Sequence, residues 1–416
     1  MGSTMMDTTL KQIRDLVAEL KTDVSGIVEV RIHNNILELD NLFGQLECES
    51  KAEIPSTGAI CATLMPTLQA YRQMFKTRLN QNGLIELLLE GAKASVNIGE
   101  FNDAKALYEE IATLAEDSQN ITAKIEAIKQ RGHLNSRQEQ WQQAQEYYQQ
   151  VIELCEDTNN KEEMANIYNN LGYNATLQGN FNQANEYHQK AIQIAAEADS
   201  RWVIADAHNS LGTIATVQAD WDEAIEHFQQ SITLYDELDD RRGMAQTYHN
   251  LAMAYVDCEQ WEEAGECYQE ATEIAEDVGD LPLMAGIYIN RAEFFLNISS
   301  IEMAKTYCSK ALEIFRKLND KRGIAEAYKL LGRIYKKEQD WDTAEQHFNE
   351  SIKLYQSCNN LLGLAEAHYE FGSMYNEKQE FEKAKMHFAS SLNLFEQLKA
   401  TEEIERVQSA LGALAA

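Results

Sequence analysis

The segment KRGIAEAYKLLGRIYKKEQDWDTAEQHFNESIKLYQSCNN (321–360) is one copy of a pattern that recurs along the chain at constant spacing. An aromatic residue stands at the same place in seven copies: Phe101, Trp141, Phe181, Trp221, Trp261, Trp341 and Phe381, and Ile301 fills the remaining place. An alanine follows three positions after each of them. A fixed period of about 40 residues indicates a repeat architecture, in which each unit buries its apolar face against its neighbours.

Each unit is predicted to form two amphipathic helices joined by a short polar turn. In the first helix an aromatic residue or histidine is followed four positions later by glycine or alanine, as with Tyr328 and Gly332. Such a pair lies on one helical face, where the small residue lets the neighbouring helix approach closely. The second helix begins at the periodic aromatic and carries an apolar stripe at helical spacing, as with Ala344 and Phe348. We interpret the periodic aromatic, such as Trp341, as a packing residue that keeps the helices in register.

The composition favours a helical protein that binds other proteins. Only 3 prolines occur in 416 residues, so few positions oppose a helix. The net charge of −31 argues against a nucleic-acid or anionic-membrane partner, because both would be repelled. No apolar stretch approaches the length of a membrane span. We therefore expect a protein or peptide partner, no nucleic acid, no membrane insertion and a cytoplasmic location.

The reactive residue types form no recognisable catalytic or metal-binding pattern. The 7 cysteines are odd in number, scattered and without a C-x-x-C pair, which indicates reduced thiols rather than disulfides or a zinc site. The 9 histidines include no H-E-x-x-H motif, and neither a glycine-rich phosphate loop nor a G-x-S-x-G motif is present. The sequence predicts no catalytic residue, no metal and no cofactor, hence a protein that is not an enzyme.

The pattern Tyr328…Leu331-Gly332…Tyr335…Ala344…Phe348…Ser351 resembles the tetratricopeptide repeat. The fit extends over residues 81–400, as eight units. The 40-residue form is similar to the repeats of Pins-type scaffolds, kinesin light chains and bacterial Rap-type peptide receptors. The resemblance implies an all-α fold, an α-solenoid of about eight helix-turn-helix repeats wound as a right-handed superhelix.

The two ends of the chain depart from the repeat. Leu411-Gly412 falls one period after Phe371-Gly372, so residues 401–416 are predicted to form a lone capping helix. Residues 1–80 do not follow the period, although parts of them show helical spacing. They form either a small helical bundle packed on the first repeats or a separate effector or dimerisation module, as in Rap-type receptors.

The resemblance also implies where a ligand binds, because the first helices of successive repeats line a concave groove in this family. The residues of this chain at the groove positions, and hence the candidate peptide-binding residues, are Asn169, Asn170, Tyr173, Asn209, Thr213, His249, Asn250, Met253, Ile289, Asn290, Lys329, Arg333, Lys336 and Lys337. An asparagine amide has donors and an acceptor and can pair with the backbone of an extended peptide. Alternatively, these asparagines bond neighbouring helix ends or solvent.

The last four candidates form a basic patch. Residues 301–337 hold 10 Lys or Arg against 4 Asp or Glu. Lys329, Arg333, Lys336 and Lys337 share one helical face, where they would suit an acidic peptide, a carboxylate or a phosphate. The alternative is a solvated face that balances nearby acids. The carboxylate clamp of chaperone-binding relatives is not reproduced, because Asp206 stands where a cation is needed.

Two functions remain open at this point. The first is a non-enzymatic scaffold or adaptor that binds an extended peptide or a helix of a partner in the groove. The second is a peptide-regulated signalling receptor, similar to the Rap type, whose N-terminal bundle contacts a target.

Overall fold

The computed structural model describes residues 81–97 and 100–415, which form two compact units that meet in sequence at Leu238 and Asp239. In the first unit the helices are α1 (Gln81–Asn97), α2 (Phe101–Asp117), α3 (Ile121–Arg137), α4 (Trp141–Thr158), α5 (Lys161–Leu177), α6 (Phe181–Glu197), α7 (Arg201–Val217) and α8 (Trp221–Glu237). In the second they are α9 (Arg241–Asp257), α10 (Trp261–Val278), α11 (Leu281–Asn297), α12 (Ile301–Lys317), α13 (Lys321–Lys337), α14 (Trp341–Ser357), α15 (Leu361–Glu377), α16 (Phe381–Leu398) and α17 (Thr401–Ala415).

The prediction of an all-α fold of paired helices is confirmed for the described part of the chain. Every second helix begins at the periodic residue, from Phe101 to Phe381, and every first helix begins half a period earlier, as Lys321 does before Trp341. The two helices of a repeat pack against each other, and within each unit successive pairs are in contact. The repeat period of the sequence is therefore the structural period.

The turn that ends each helix recurs at half the period of the sequence pattern. A residue with left-handed backbone conformation occupies each such place from Gln119 to Lys399, and only Gly179 and Gly279 among them are glycines. At Glu139 (φ 60°) the backbone N–H donates to the Ser136 carbonyl at 3.0 Å, and the next N–H donates to the Asn135 carbonyl at 2.8 Å. This is the Schellman arrangement, which pairs the last carbonyls of a helix.

Side-chain caps begin most of the first helices. The oxygens of Asn120, Asn160, Asp240, Asp280, Asp320 and Asn360 accept hydrogen bonds from backbone N–H groups of the first turn. Among the second helices described, only α14 has such a cap, from Asp340. Caps of this kind stabilise a helix by about 1 kcal/mol each and fix where it begins.

The core is built on the periodic alanines rather than on the periodic aromatics. The alanine three positions into each second helix is completely buried, from Ala104 to Ala384. By contrast, Trp261 is 38% exposed and Phe381 is 52% exposed, and the other periodic aromatics are half-buried. The interpretation of the aromatics as packing residues is supported by Phe101, Phe181 and Trp341, which are partly buried and pack against apolar clusters, although the completely buried place belongs to the alanine.

The small residue of the first helix contacts the ring that lies sixteen positions later in the same repeat. A Cβ added to Gly332 would stand 2.7 Å from the Phe348 ring, and one added to Gly212 would stand 2.7 Å from the Phe228 ring. Gly372 lies equally close to Phe388. The predicted close approach is confirmed at these glycines, and the ring sets the distance between the two helices.

Helix α17 follows the last pair and buries Val407 in the same apolar cluster as Phe395 of α16. Its role as a cap stays a prediction, as does the division of the chain at residues 80 and 400. The N-terminal segment 1–80 lies outside the described residues. Among the helices described, none is both long and apolar enough to cross a membrane.

We expect Gly332→Ala to destabilise the protein by about 1–2 kcal/mol, because overpacking at Phe348 outweighs the gain in helix propensity of about 1 kcal/mol. Gly286→Ala in α11 is the matched control, since no atom beyond its chain neighbours and the nearby backbone of its own helix lies within 4 Å of the added Cβ. It should stabilise by up to about 1 kcal/mol. Chemical unfolding followed by circular dichroism measures both, and equal effects of the two substitutions would contradict the packing role of the glycine.

Candidate peptide-binding face

In the first unit Asn169 is held inside the protein rather than offered to a ligand. It is 6% exposed, its amide nitrogen donates to the Asp206 carboxylate on α7, and its oxygen bonds with Nδ1 of His188 on α6. Burial lowers the pKa of His188 to about 4, so the ring is neutral at pH 7 and the bond carries no charge. Asn169 therefore connects three helices.

The other candidates of the first unit lie at the surface of the first helices. Tyr173 is 56% exposed, and Thr213 is exposed with its hydroxyl donating to the Asn209 carbonyl at 3.0 Å. Asn170 and Asn209 are half-buried. Tyr173 provides the largest accessible apolar surface among these candidates.

In the second unit three candidates from neighbouring first helices come together. The Asn290 amide nitrogen on α11 lies 2.9 Å from Nε2 of His249 and 3.3 Å from the Met253 sulfur, both on α9. His249 is buried, whereas Met253 is 40% exposed. Burial lowers the pKa of His249 to about 4, so Nε2 accepts from the amide at neutral pH. Asn290 thus holds two helices together and leaves Met253 accessible.

The remaining polar candidate of α9 and the apolar candidate of α11 are less accessible. Asn250 is half-buried, and its oxygen accepts from the Gln246 amide at 3.1 Å. Ile289 is half-buried and packs against the core of the second unit. These two residues therefore contribute little accessible surface to the face formed by the first helices.

The basic patch is neutralised by acids on the same face. Lys329 is 7% exposed and pairs with Glu326 at 3.0 Å and with Glu366 of α15 at 2.5 Å. Although burial favours its neutral form, the two carboxylates outweigh burial and raise the pKa of Lys329. Its charge is therefore kept at every physiological pH and is already balanced.

The other cations of the patch differ in their pairing. Arg333 bonds to Glu293 of α11 and approaches Glu370 at 3.9 Å. Lys336 lies 3.3 Å from Glu370, whereas Lys337 is exposed and has no ion pair among the residues described. A ligand anion at Arg333 or Lys336 would have to replace an internal carboxylate. The anion-binding role of the patch stays a prediction, and Lys337 is its most accessible member.

Balance by nearby acids was an open alternative in the sequence, but the acids could not be identified from one helix alone. Lys329 pairs with a residue 37 positions later, and so does Asn169. This offset is three short of the period and marks positions that face each other on neighbouring first helices. Applied to the sequence, it would have placed Glu366 opposite Lys329.

A cluster suited to metal binding is not found in the described ranges. No group of three or more His, Cys, Asp or Glu is arranged to hold a metal ion there. Two histidine pairs occur, His208 with His227 and His368 with His387, each with an Nδ1–Nδ1 distance of 3.0 Å. Burial lowers the pKa of His208 and of His387 to about 4, so these two rings are neutral at pH 7.

Comparison with known proteins agrees with this geometry. The family model of the MalT-like TPR region matches residues 171–360, and a tetratricopeptide-repeat model matches residues 124–197. The chain is a tetratricopeptide-repeat protein. No curated protein matches it significantly over its sequence.

Solved structures similar to this TPR protein share its fold. A signal transduction ATPase with numerous domains and a tetratricopeptide-repeat sensor, from Pyrococcus horikoshii, is 14% identical, with a TM-score of 0.58 and coverage of 85% of this chain and 55% of that one. Aspartyl phosphate phosphatase F from Bacillus subtilis is 15% identical, with a TM-score of 0.55 and coverage of 89% and 96%. A Rap protein complexed with competence and sporulation factor is 15% identical, with a TM-score of 0.51 and coverage of 81% and 98%.

We expect Lys329→Met to destabilise this TPR protein by about 1–3 kcal/mol, less than for a fully buried pair because Glu326 and Glu366 keep some solvent. The substitution leaves two neighbouring carboxylates without their cation. Lys337→Met, in the same helix, should change the free energy of unfolding by less than about 0.5 kcal/mol. Thermal and chemical unfolding measure both. Equal small effects would show that the Lys329 pairs contribute nothing to stability.

His188→Phe should reduce the loss of stability at acid pH. The folded pKa of His188 is about 4 against an ordinary value of 6.5, so the unfolded chain takes up a proton that the folded chain does not, and stability falls as the pH drops from 6.5 to 4. Phenylalanine occupies the equivalent place at Phe228 and Phe348. We expect the variant to take up about one proton fewer on unfolding in this window. Chemical unfolding at several pH values between 7 and 4 gives the free energy of unfolding of both proteins. The same dependence of this free energy on pH in both proteins would contradict the prediction.

Proposed function

We propose that this protein is a non-enzymatic scaffold or adaptor that binds an extended peptide or a helix of a partner on the face formed by its first helices. The observation that carries the proposal is a position of the first helix whose residue type changes in every repeat. The residues there are His133, Tyr173, Thr213, Met253, Glu293, Arg333 and Ser373. The residue before each is always glycine or alanine.

The two adjacent positions of the first helix differ in role, because one packs the helices together and the next is available to a partner. The glycine or alanine faces the ring of its own repeat and is restricted in size, as Gly332 shows. The next residue is free of that restriction, and Tyr173 and Met253 present large apolar side chains at this position. A surface that is constant in backbone and varied in side chains is suited to reading a peptide sequence.

The chemistry of the face favours a partner that has apolar side chains and backbone amides able to form hydrogen bonds. Exposed aromatic and methionine side chains are enriched where proteins bind one another, because they bury much area with adaptable shape. Met253 is held by Asn290, so its position is defined before a ligand arrives. An acidic segment of the partner at Lys337 is part of the proposal, whereas the paired cations beside it contribute less.

A peptide-regulated receptor is the second candidate. It needs a signal carried from the repeats to residues 1–80, and these lie outside the described residues. One similar structure is a Rap protein complexed with competence and sporulation factor. That likeness supports a peptide as the ligand, and the cytoplasmic location of this chain belongs to the same proposal.

The test uses peptides selected from a random display library on the full-length protein. Met253→Asp places a charge on the first-helix face at a residue that is 40% exposed. Met303→Asp is the matched control, since Met303 is 39% exposed but lies on the second helix α12. We expect Met253→Asp to weaken at least a class of selected peptides more than about tenfold, which corresponds to about 1.4 kcal/mol.

Fluorescence anisotropy with labelled peptides gives the affinities. Met303→Asp should leave them within about twofold, and circular dichroism confirms that both variants are folded. If the selected peptides respond to Met303→Asp, or to neither substitution, the first helices are not the binding face and the proposal is wrong.

A further inference from the structure

Asn174 on α5 departs from the repeat at a place that belongs to the core. The residues at the same place in the other repeats are all apolar: Ala94, Leu134, Ile214, Ala254, Phe294, Ile334 and Met374. Asn174 is 4% exposed, so its amide is buried like the apolar side chains that it replaces. A buried polar group costs stability unless it is hydrogen-bonded, so the partners of this amide indicate why it is there.

Only one end of the Asn174 amide has a partner among the residues described. Its oxygen accepts from the Ser136 hydroxyl, whereas its nitrogen is buried and unpaired. The Tyr148 hydroxyl also hydrogen-bonds with Ser136, and burial raises the pKa of Tyr148, so this hydroxyl keeps its proton. These contacts fix the direction of the amide. Because buried polar groups are nearly always paired, the nitrogen calls for an acceptor atom beside it.

The space beside Asn174 is a cavity of about 630 Å³, bordered by α3, α5 and the start of α4. Sites for small molecules have volumes of roughly 300–1,000 Å³. The buried part of the lining includes Leu134 and the Tyr148 ring, and Val96 of α1 adds a further apolar side chain. A sugar, with hydroxyl groups around its rim, would lose hydration against these side chains. The lining therefore favours a ligand that is largely apolar and has its polar atoms on one edge.

His133 supplies a second unpaired nitrogen to the same cavity. Its Nε2 is buried and has no hydrogen-bond partner within the described ranges. Burial, reinforced by the charge of Lys129, lowers the pKa of His133 to about 4, so the ring is neutral at pH 7. A neutral imidazole nitrogen either donates or accepts, depending on the tautomer. A ring carbonyl beside a ring N–H suits both tautomers, because its oxygen has two lone pairs and its N–H can donate.

Aromatic side chains line the more open part of the cavity. Trp141 is half-buried and Tyr173 is 56% exposed, and both contribute to the lining. Flat heterocyclic rings stack on such side chains, which is how proteins hold unpaired nucleobases. A planar ring therefore fits this part of the cavity.

The charges of the lining cancel. Arg137 and Glu139 are both exposed at the cavity, and the other side chains of the lining are neutral at pH 7. With one cation and one anion, the cavity offers little net attraction to a phosphate or a carboxylate. This balance favours a ligand without net charge.

We propose that the cavity binds a neutral oxo-heterocycle of the nucleobase type. Its carbonyl oxygen accepts from Asn174, the neighbouring ring nitrogen pairs with His133, and its flat face rests on Trp141. Oxopurines and oxopyrimidines share this edge. The site goes beyond the proposed peptide function, because it takes a small molecule in the first unit, whereas Met253 lies in the second.

The first experiment titrates nucleosides into the full-length protein and follows the nucleoside signals by NMR. Inosine and uridine present the edge on a purine and on a pyrimidine, so their relative affinities decide between the two sources. Purine riboside is inosine without the carbonyl oxygen. The tighter of inosine and uridine should bind at least about fivefold more tightly than purine riboside, because Asn174 then stays unpaired. Binding of neither at millimolar concentration overturns the proposal, and so does purine riboside binding as tightly as both.

A charged analogue tests the neutrality of the ligand. Inosine 5′-monophosphate should bind within about twofold of inosine, since Arg137 and Glu139 cancel. If the monophosphate binds more tightly than this, the cavity is an anion site at Arg137 and the proposal is wrong.

The second experiment assigns binding to the cavity. Asn174→Ile copies the residue of the next repeat, Ile214, so the fold should be kept and the preference over purine riboside should be lost. Trp141→Leu should weaken the tighter nucleoside at least about fivefold through lost stacking. Trp221→Leu, at the same place in the next repeat and equally half-buried, is the matched control and should stay within about twofold.

Circular dichroism establishes that the three variants are folded. A preference that survives Asn174→Ile, or equal effects of Trp141→Leu and Trp221→Leu, would show that the nucleoside binds elsewhere and overturn the assignment.

Discussion

The approach of a first-helix glycine to the ring sixteen positions later is the contact on which the repeat depends. It fixes the distance between the two helices of a pair at Gly212, Gly332 and Gly372, and a side chain at these positions would meet the ring directly. Where alanine replaces the glycine, Ala292 stands opposite the smaller Cys308, whereas Ala252 stands opposite Tyr268. Both members of the contact lie in one repeat, so this distance is set within the repeat, although the apolar clusters extend across neighbouring repeats. The position next to the glycine takes no part in this contact and varies in residue type.

The positions of the helices could be predicted from the sequence, whereas the turns between them could not. The aromatic-to-alanine spacing repeats without slippage, so each second helix begins where the pattern places it. The left-handed residue that ends each helix is set by hydrogen bonds of the backbone, and its residue type ranges from Gln119 to Ala219. Because no residue type recurs there, the sequence pattern does not reveal the position of the left-handed residue. The aromatics could be recognised as packing residues but their partial exposure could not, since Trp341 packs against an apolar cluster while Phe381 is 52% exposed.

The helices that carry the candidate residues could be predicted, but the interactions of these residues could not. The residues expected on the first helices do lie there, yet Asn169 and Lys329 are used within the protein and Met253 is accessible. The difference arises because each partner comes from the next repeat, at an offset that is visible only once the helices are stacked. The unpaired nitrogen of Asn174 has the same origin, since Ser136 of the preceding repeat fixes which end of its amide remains open.

The turn that closes helices α2 to α16 has a consequence for how such a chain can change over time. Thirteen of its left-handed residues are not glycine, although each of them carries a conformational cost of about 1 kcal/mol that glycine would remove. The geometry of the turns therefore depends on the flanking helices, and many residue types are tolerated at the left-handed position. A duplicated or deleted block of one whole period would join its neighbours through a turn of the same geometry. The number of repeats, and with it the number of first helices, can then be altered in whole steps without redesigning any junction.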